Sequence, residues 1–113
     1  MGIGAGGKTS EKAGGILIRE RLFIGGKWVA PIDGSIADSI DPATGRIWAR
    51  VAFGGAADID RAVAAAKAAL YGPWGKMTAP ERGMLLRRLA DLYQAHSEEM
   101  AALESRDSGR AIR

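Results

Sequence analysis

At Gly54-Gly55 the spacing of apolar residues changes from about two to about 3.6. A chain that alternates up to one point and follows a helical period after it is expected to fold as strands first and helices second. On the strand side, Ile16 to Ile24 reads as one strand, and Gly25-Gly26 supplies the two positive-φ positions of a tight turn before Lys27-Trp28-Val29. A second hairpin follows. Ile36, Asp38 and Ile40 alternate, Asp41-Pro42-Ala43-Thr44-Gly45 makes a turn, and Ile47 to Phe53 returns with Ile47, Ala49 and Val51 on one face and Trp48 and Arg50 on the other.

On the helix side, Ile59, Ala62, Val63, Ala66 and Leu70 form one stripe of an alanine-rich helix over about Ala57 to Leu70, ended by Gly72-Pro73. Thr78-Ala79-Pro80-Glu81 is a capping box, so a second helix starts there and buries Leu85, Leu86, Leu89, Leu92 and Tyr93. Ser97, Glu98 and Glu99 either prolong that helix or begin another through Met100 and Leu103, and Gly109 stops it. The pattern predicts an α+β chain of two N-terminal β-hairpins followed by two or three α-helices. Residues 1–15, with their many glycines, are expected to be a flexible tail, and order is expected to begin near Ile16.

Composition limits the chemistry. The chain has 113 residues, no cysteine and one histidine, His96. Disulfides, thiolate nucleophiles, cysteine metal sites and two-histidine metal motifs are therefore excluded for these residues. Glu98 and Glu99 are adjacent, so on a helix they diverge by about 100° and do not bracket one bond. Asp58 and Asp60 stand where a helix N-terminus favours acid, and His96 reads as a helix-edge residue. Trp28, Trp48 and Trp74 read as core anchors rather than a stacking platform.

Net charge is +3, with bases and acids interspersed: Arg82, Arg87 and Arg88 stand beside Glu81 and Asp91. That is not the clustered footprint of a nucleic-acid binder, and no nucleic-acid partner is expected. No apolar run approaches the roughly 20 residues of a membrane span, and the start lacks an apolar signal core. A cytoplasmic protein with no membrane partner is the expectation. The opening Gly2-Ile3-Gly4-Ala5-Gly6-Gly7-Lys8-Thr9 fits both the P-loop and the dinucleotide-binding patterns. Both need a strand before the loop and a helix after it. Only Met1 precedes the tract and no helical period follows, so its composition accounts for the match.

The order of the pieces carries more than any one of them. Phe23-Ile24-Gly25-Gly26-Lys27-Trp28, the Asp41 to Gly45 turn, the alanine-rich run from Ala57 to Ala69, Gly72-Pro73-Trp74, the run from Glu81 to Leu92 and Arg106-Asp107-Ser108-Gly109-Arg110 follow one another. In that order they resemble the beginning of an NAD(P)-dependent aldehyde dehydrogenase, over Arg21 to Arg113. Asp41 and Arg110 depart from the asparagine and lysine of the family's motifs, and Ala111 stands where proline often follows.

The resemblance implies an α/β aldehyde-dehydrogenase-like fold of which residues 16–113 are the N-terminal part of the coenzyme-binding domain. It also implies oxidation of aldehydes to carboxylic acids with NAD or NADP. The catalytic cysteine and glutamate of the family are absent here, so no catalytic or cofactor-binding residue is assigned, and neither coenzyme is expected to be held by this chain alone. Many members hold a monovalent cation near the matching motifs, and the resemblance carries that site to Ser39, Ile40 and Asp107.

Three functional readings follow. The first is a truncated or partial aldehyde dehydrogenase, inactive by itself, whose partner is the remainder of the enzyme. The second is an interaction module that docks on a full-length dehydrogenase subunit. The third is nucleotide binding through Gly2 to Thr9. In isolation the helix stripes are expected to be exposed and to favour self-association.

Overall fold

The computed structural model of the chain describes residues 12–13 and 15–112. Among the described residues, six strands precede the helices: β1 Lys12–Ala13, β2 Ile16–Arg19, β3 Leu22–Ile24, β4 Lys27–Val29, β5 Ile36–Asp41 and β6 Arg46–Ala52. Then come α1 Ala56–Tyr71, the single turn α2 Pro73–Lys76, α3 Ala79–Ala95 and α4 Ser97–Ser108. The α+β order read from the period change is the observed one. The glycine tract from Gly2 to Thr9 lies outside the described residues.

Both expected turns form. Gly25 and Gly26 adopt φ of 61° and 77°, and β3 pairs antiparallel with β4 so that Phe23 faces Trp28, their rings 5.0 Å apart between centroids. The expectation of one strand from Ile16 to Ile24 is corrected. The chain leaves the strand at Glu20-Arg21, and its two halves join different sheets. β2 pairs parallel with β6, Leu17 opposite Ala49, in a four-stranded sheet ordered β1-β2-β6-β5, while β3 and β4 form a sheet of their own. Paired backbone also begins earlier than Ile16, since Lys12 and Ala13 pair with Leu17 and Ile16.

A second correction concerns β6. Ser39 pairs with Ala49 and Ile40 with Ile47, so Trp48 is the extra residue of a β-bulge. Strict alternation fails there. Trp48 and Ala49 are neighbours in sequence yet both are buried, at 7% and 1% exposure, whereas Ile47 and Val51 are exposed. Trp48 is thus the only one of the three tryptophans that acts as a core anchor; Trp28 and Trp74 are exposed.

The helix boundaries follow local signals. In α3 the Thr78 hydroxyl accepts from the Glu81 N–H at 3.4 Å, and the Glu81 carboxylate accepts from the Thr78 N–H at 2.7 Å, completing the capping box. These bonds from the Thr78 backbone and hydroxyl hold the Glu81 carboxyl below its ordinary value of 4.5. Because the depressed pKa belongs to the folded state, the stabilisation is present above that ordinary value and is lost as pH falls through the lowered one. An NMR pH titration is expected to show the amides of the first turn of α3 losing protection only below the ordinary carboxylate range, and Glu81→Gln, which removes the titrating group, is expected to abolish that dependence. α3 and α4 are two helices, broken at His96, which ends one and begins the other with φ −110° and ψ 18°. Its Nδ1 lies 3.5 Å from Glu99 Oε2, which fits its reading as a helix-edge residue. Gly109 closes α4 in the left-handed conformation at φ 75°.

Little of this is covered. The radius of gyration is 16.9 Å, against about 13 Å for a compact chain of this length. Leu85, Leu86, Leu89, Leu92 and Tyr93 of α3 are exposed, Leu86 at 59%, as are Ile59, Val63 and Leu70 of α1. The stripes have the helical spacing that the sequence shows, and nothing among the described residues covers them. Among the described residues, no helix is long and apolar enough to cross a membrane.

Candidate functional site

Two corners of the molecule gather polar side chains. The first lies at the N-terminus of α1. Asp58, at the third position of the helix, is 2% exposed. Its Oδ2 accepts from the Gly55 N–H at 3.2 Å, which satisfies one of the free donors of the helix start. The Ile32 N–H, 26 residues earlier, donates to both carboxylate oxygens at 3.2 and 3.3 Å. Arg61 Nη1 lies 3.5 Å from Oδ1, one turn further along the same helix. Asp58 therefore fastens the β4–β5 connection to α1. Asp60, two residues on, is exposed. The sequence marks Asp58 as a helix-start acid and offers Arg61 at the i+3 position, but the Ile32 contact has no local signal.

Next to it, Asp33 Oδ1 accepts from the Ser35 N–H at 2.9 Å, an Asx turn within the same connection. The backbone and hydroxyl of Ser35 lower the Asp33 pKa from its ordinary value. Both oxygens of the buried Asp58 carboxylate accept from N–H groups among the described residues, and the arrangement supports packing rather than proton transfer.

The second corner joins the β5–β6 hairpin to the end of α4. Ser39 Oγ donates to Asp107 Oδ1 at 2.6 Å, bridging 68 residues of sequence. Ile40 follows Ser39 in β5, at the bulge. The residues that the family resemblance singles out, Ser39, Ile40 and Asp107, thus come from two elements that meet in space. Arg106 lies over the Trp48 ring at 5.4 Å and its Nε is 3.8 Å from Asp41 Oδ2. The Trp48 Nε1 is buried without an acceptor among the described residues.

The oxygen groups at this corner are the Asp107 and Asp41 carboxylates and the Ser39 hydroxyl. Oxygen ligands of that kind suit a hard cation and not a thiolate-loving or imidazole-loving metal. Among the described residues there is no cluster of three or more histidine, cysteine, aspartate or glutamate side chains fit for a metal. Glu98 and Glu99 lie in the first turn of α4, where acid complements the helix dipole, and line a shallow open hollow at the α3–α4 junction with Gln94 and His96.

Comparison with known proteins matches residues 28–113 to the model of the aldehyde dehydrogenase family. Aldehyde dehydrogenase family 2 member B4 of Arabidopsis thaliana is 48% identical over 91 residues, which are 80% of this chain and 17% of that protein. The cytosolic 10-formyltetrahydrofolate dehydrogenase of Xenopus laevis is 47% identical over 95 residues, 83% of this chain and 10% of that protein. Among solved structures, the NAD+ complex of an aldehyde dehydrogenase from Bacillus cereus superposes with a TM-score of 0.76 at 42% identity, covering 79% of this chain and 18% of that one. Betaine aldehyde dehydrogenase from Staphylococcus aureus, in complex with NAD+, gives a TM-score of 0.76 at 34% identity. This chain therefore spans less than a fifth of the length of the relatives it matches.

Proposed function

Since this chain belongs to the aldehyde dehydrogenase family, we propose that its residues work as the N-terminal part of an NAD(P)-dependent aldehyde dehydrogenase and contribute packing surface rather than a reacting group. The observation that carries this reading is the uncovered apolar face of α3, from Leu85 to Tyr93. A helix with one continuous apolar stripe on an otherwise charged surface is built to be covered by other protein. The partner we assign to that face is the remainder of a dehydrogenase chain, because the segment superposes on less than a fifth of the length of the dehydrogenases it matches.

Oxidation of an aldehyde through a thioester requires a sulfur nucleophile, and these 113 residues contain no cysteine. NAD or NADP is the oxidant in the whole enzyme, and this reading assigns no residue of the segment to it. At the hairpin corner, the Asp107 carboxylate with the main-chain carbonyls of Ser39 and Ile40 would hold a monovalent cation. Such an ion would neutralise the carboxylate and tie β5 to α4.

The test is direct. The purified 113-residue chain, given a panel of aldehydes with NAD or NADP, is expected to form no NADH or NADPH above the enzyme-free background. Co-expression with a chain that supplies the remaining length of a family member is expected to yield a stable complex with aldehyde-dependent turnover. Turnover by the segment alone would sink the assignment of all chemistry to other residues, and failure to bind any complementing chain would sink the packing role.

A further inference from the structure

Asp41 opens the turn of the β5–β6 hairpin, and the turn needs less than Asp41 supplies. Its Oδ1 accepts from the Ala43 N–H at 2.8 Å, and its carbonyl accepts from the Gly45 N–H at 2.8 Å. An asparagine would make both bonds, since an Asx turn requires an acceptor and no charge. The second carboxylate oxygen faces Arg106 Nε at 3.8 Å, with the Asp41 side chain only 14% exposed. A carboxylate withdrawn that far from water is costly unless a cation stands beside it. Arg106 at the same time covers the ring of the buried Trp48, 5.4 Å from its centroid. One turn further, Gly109 brings the end of α4 so close to Pro42 that an added Cβ would lie 3.0 Å from Pro42 Cγ.

We propose that Asp41 and Arg106 form a charge-dependent clasp that holds the C-terminal end of α4 against the hairpin turn, with Trp48 as its floor. It acts independently of any cation at the neighbouring Ser39–Asp107 bridge, because it needs only the two side chains. Its strength is that of a partly exposed ion pair, so it sets how often the end of α4 lifts rather than whether the chain folds.

The test compares the 113-residue chain with Asp41→Asn, Arg106→Leu and the double variant by amide hydrogen exchange and by acrylamide quenching of tryptophan. In low salt, each single variant is expected to speed exchange in the last two turns of α4 about two- to fivefold and to expose a further tryptophan to quencher. The double variant is expected to exchange no faster than Arg106→Leu, because Asp41→Asn then has no partner left to lose. About 0.5 M sodium chloride, where the Debye length is about 4 Å, is expected to bring the unsubstituted chain close to Asp41→Asn. Equal effects of Asp41→Asn in the presence and absence of Arg106, or no effect of Asp41→Asn in low salt, would overturn the clasp. Should Asp41→Asn disturb the turn itself, seen as loss of Ala43 amide protection, Arg106→Leu and the salt series decide the same question.

Discussion

Asp58→Ala is expected to unfold most of the chain at room temperature. The substitution leaves the Ile32 and Gly55 N–H groups without their carboxylate acceptor and Arg61 without its partner. Each of these part-buried donors left unsatisfied costs up to about 1–3 kcal/mol, and the exposed Arg61 loses little. An ordinary domain holds about 5–15 kcal/mol in reserve. Among the described residues, only Trp48 and Ala49 are apolar side chains below a tenth exposure, which places the chain at the low end. A urea titration followed by far-UV circular dichroism should show the Asp58→Ala midpoint displaced to the start of the titration. Asp58→Asn, which keeps one acceptor oxygen, should fall between the two. A midpoint unchanged in Asp58→Ala would show that the β4–β5 connection is not held by this carboxylate.

The second large effect concerns the face that α3 leaves open. Burying a leucine side chain is worth about 1.5–3 kcal/mol, so an interface that covers Leu86 and Leu89 draws about 3–6 kcal/mol from the pair. The double substitution Leu86→Glu and Leu89→Glu is therefore expected to weaken self-association of the isolated segment by about 10²- to 10⁴-fold, read by analytical ultracentrifugation. The same variant should lose binding to a complementing dehydrogenase chain by a comparable factor. Both residues are more than half exposed here, so the substitution disturbs no packing within the segment, and its circular dichroism should match that of the unsubstituted chain. An oligomeric state that does not respond to the charges would mean that another surface drives assembly.

The two hairpin turns, the capping box and the left-handed stop at Gly109 were all legible in the residues because each is settled within a few positions of the chain. Glycine pairs, Pro42 and the Thr78-to-Glu81 spacing impose local geometry whatever surrounds them. The family was legible for a different reason: six short motifs in one order are hard to assemble by accident, and the match over residues 28–113 agrees with them. Ser39 and Asp107 could be named as a site only through that resemblance, for nothing local links residues 68 apart.

What the residues alone determined is thus the list of elements, their punctuation and their amphipathic faces, all governed by interactions between near neighbours along the backbone. Tertiary structure decided the rest. The parallel pairing of β2 with β6 split an apparent single strand between two sheets, and the bulge at Trp48 turned adjacent residues into the core. The reach of Asp58 to Ile32 and of Arg106 to Asp41 likewise joined groups whose proximity no local rule encodes. Register and long-range hydrogen bonding depend on where the whole chain closes, and a strand carries no mark of the distant partner that will satisfy its N–H and C=O groups.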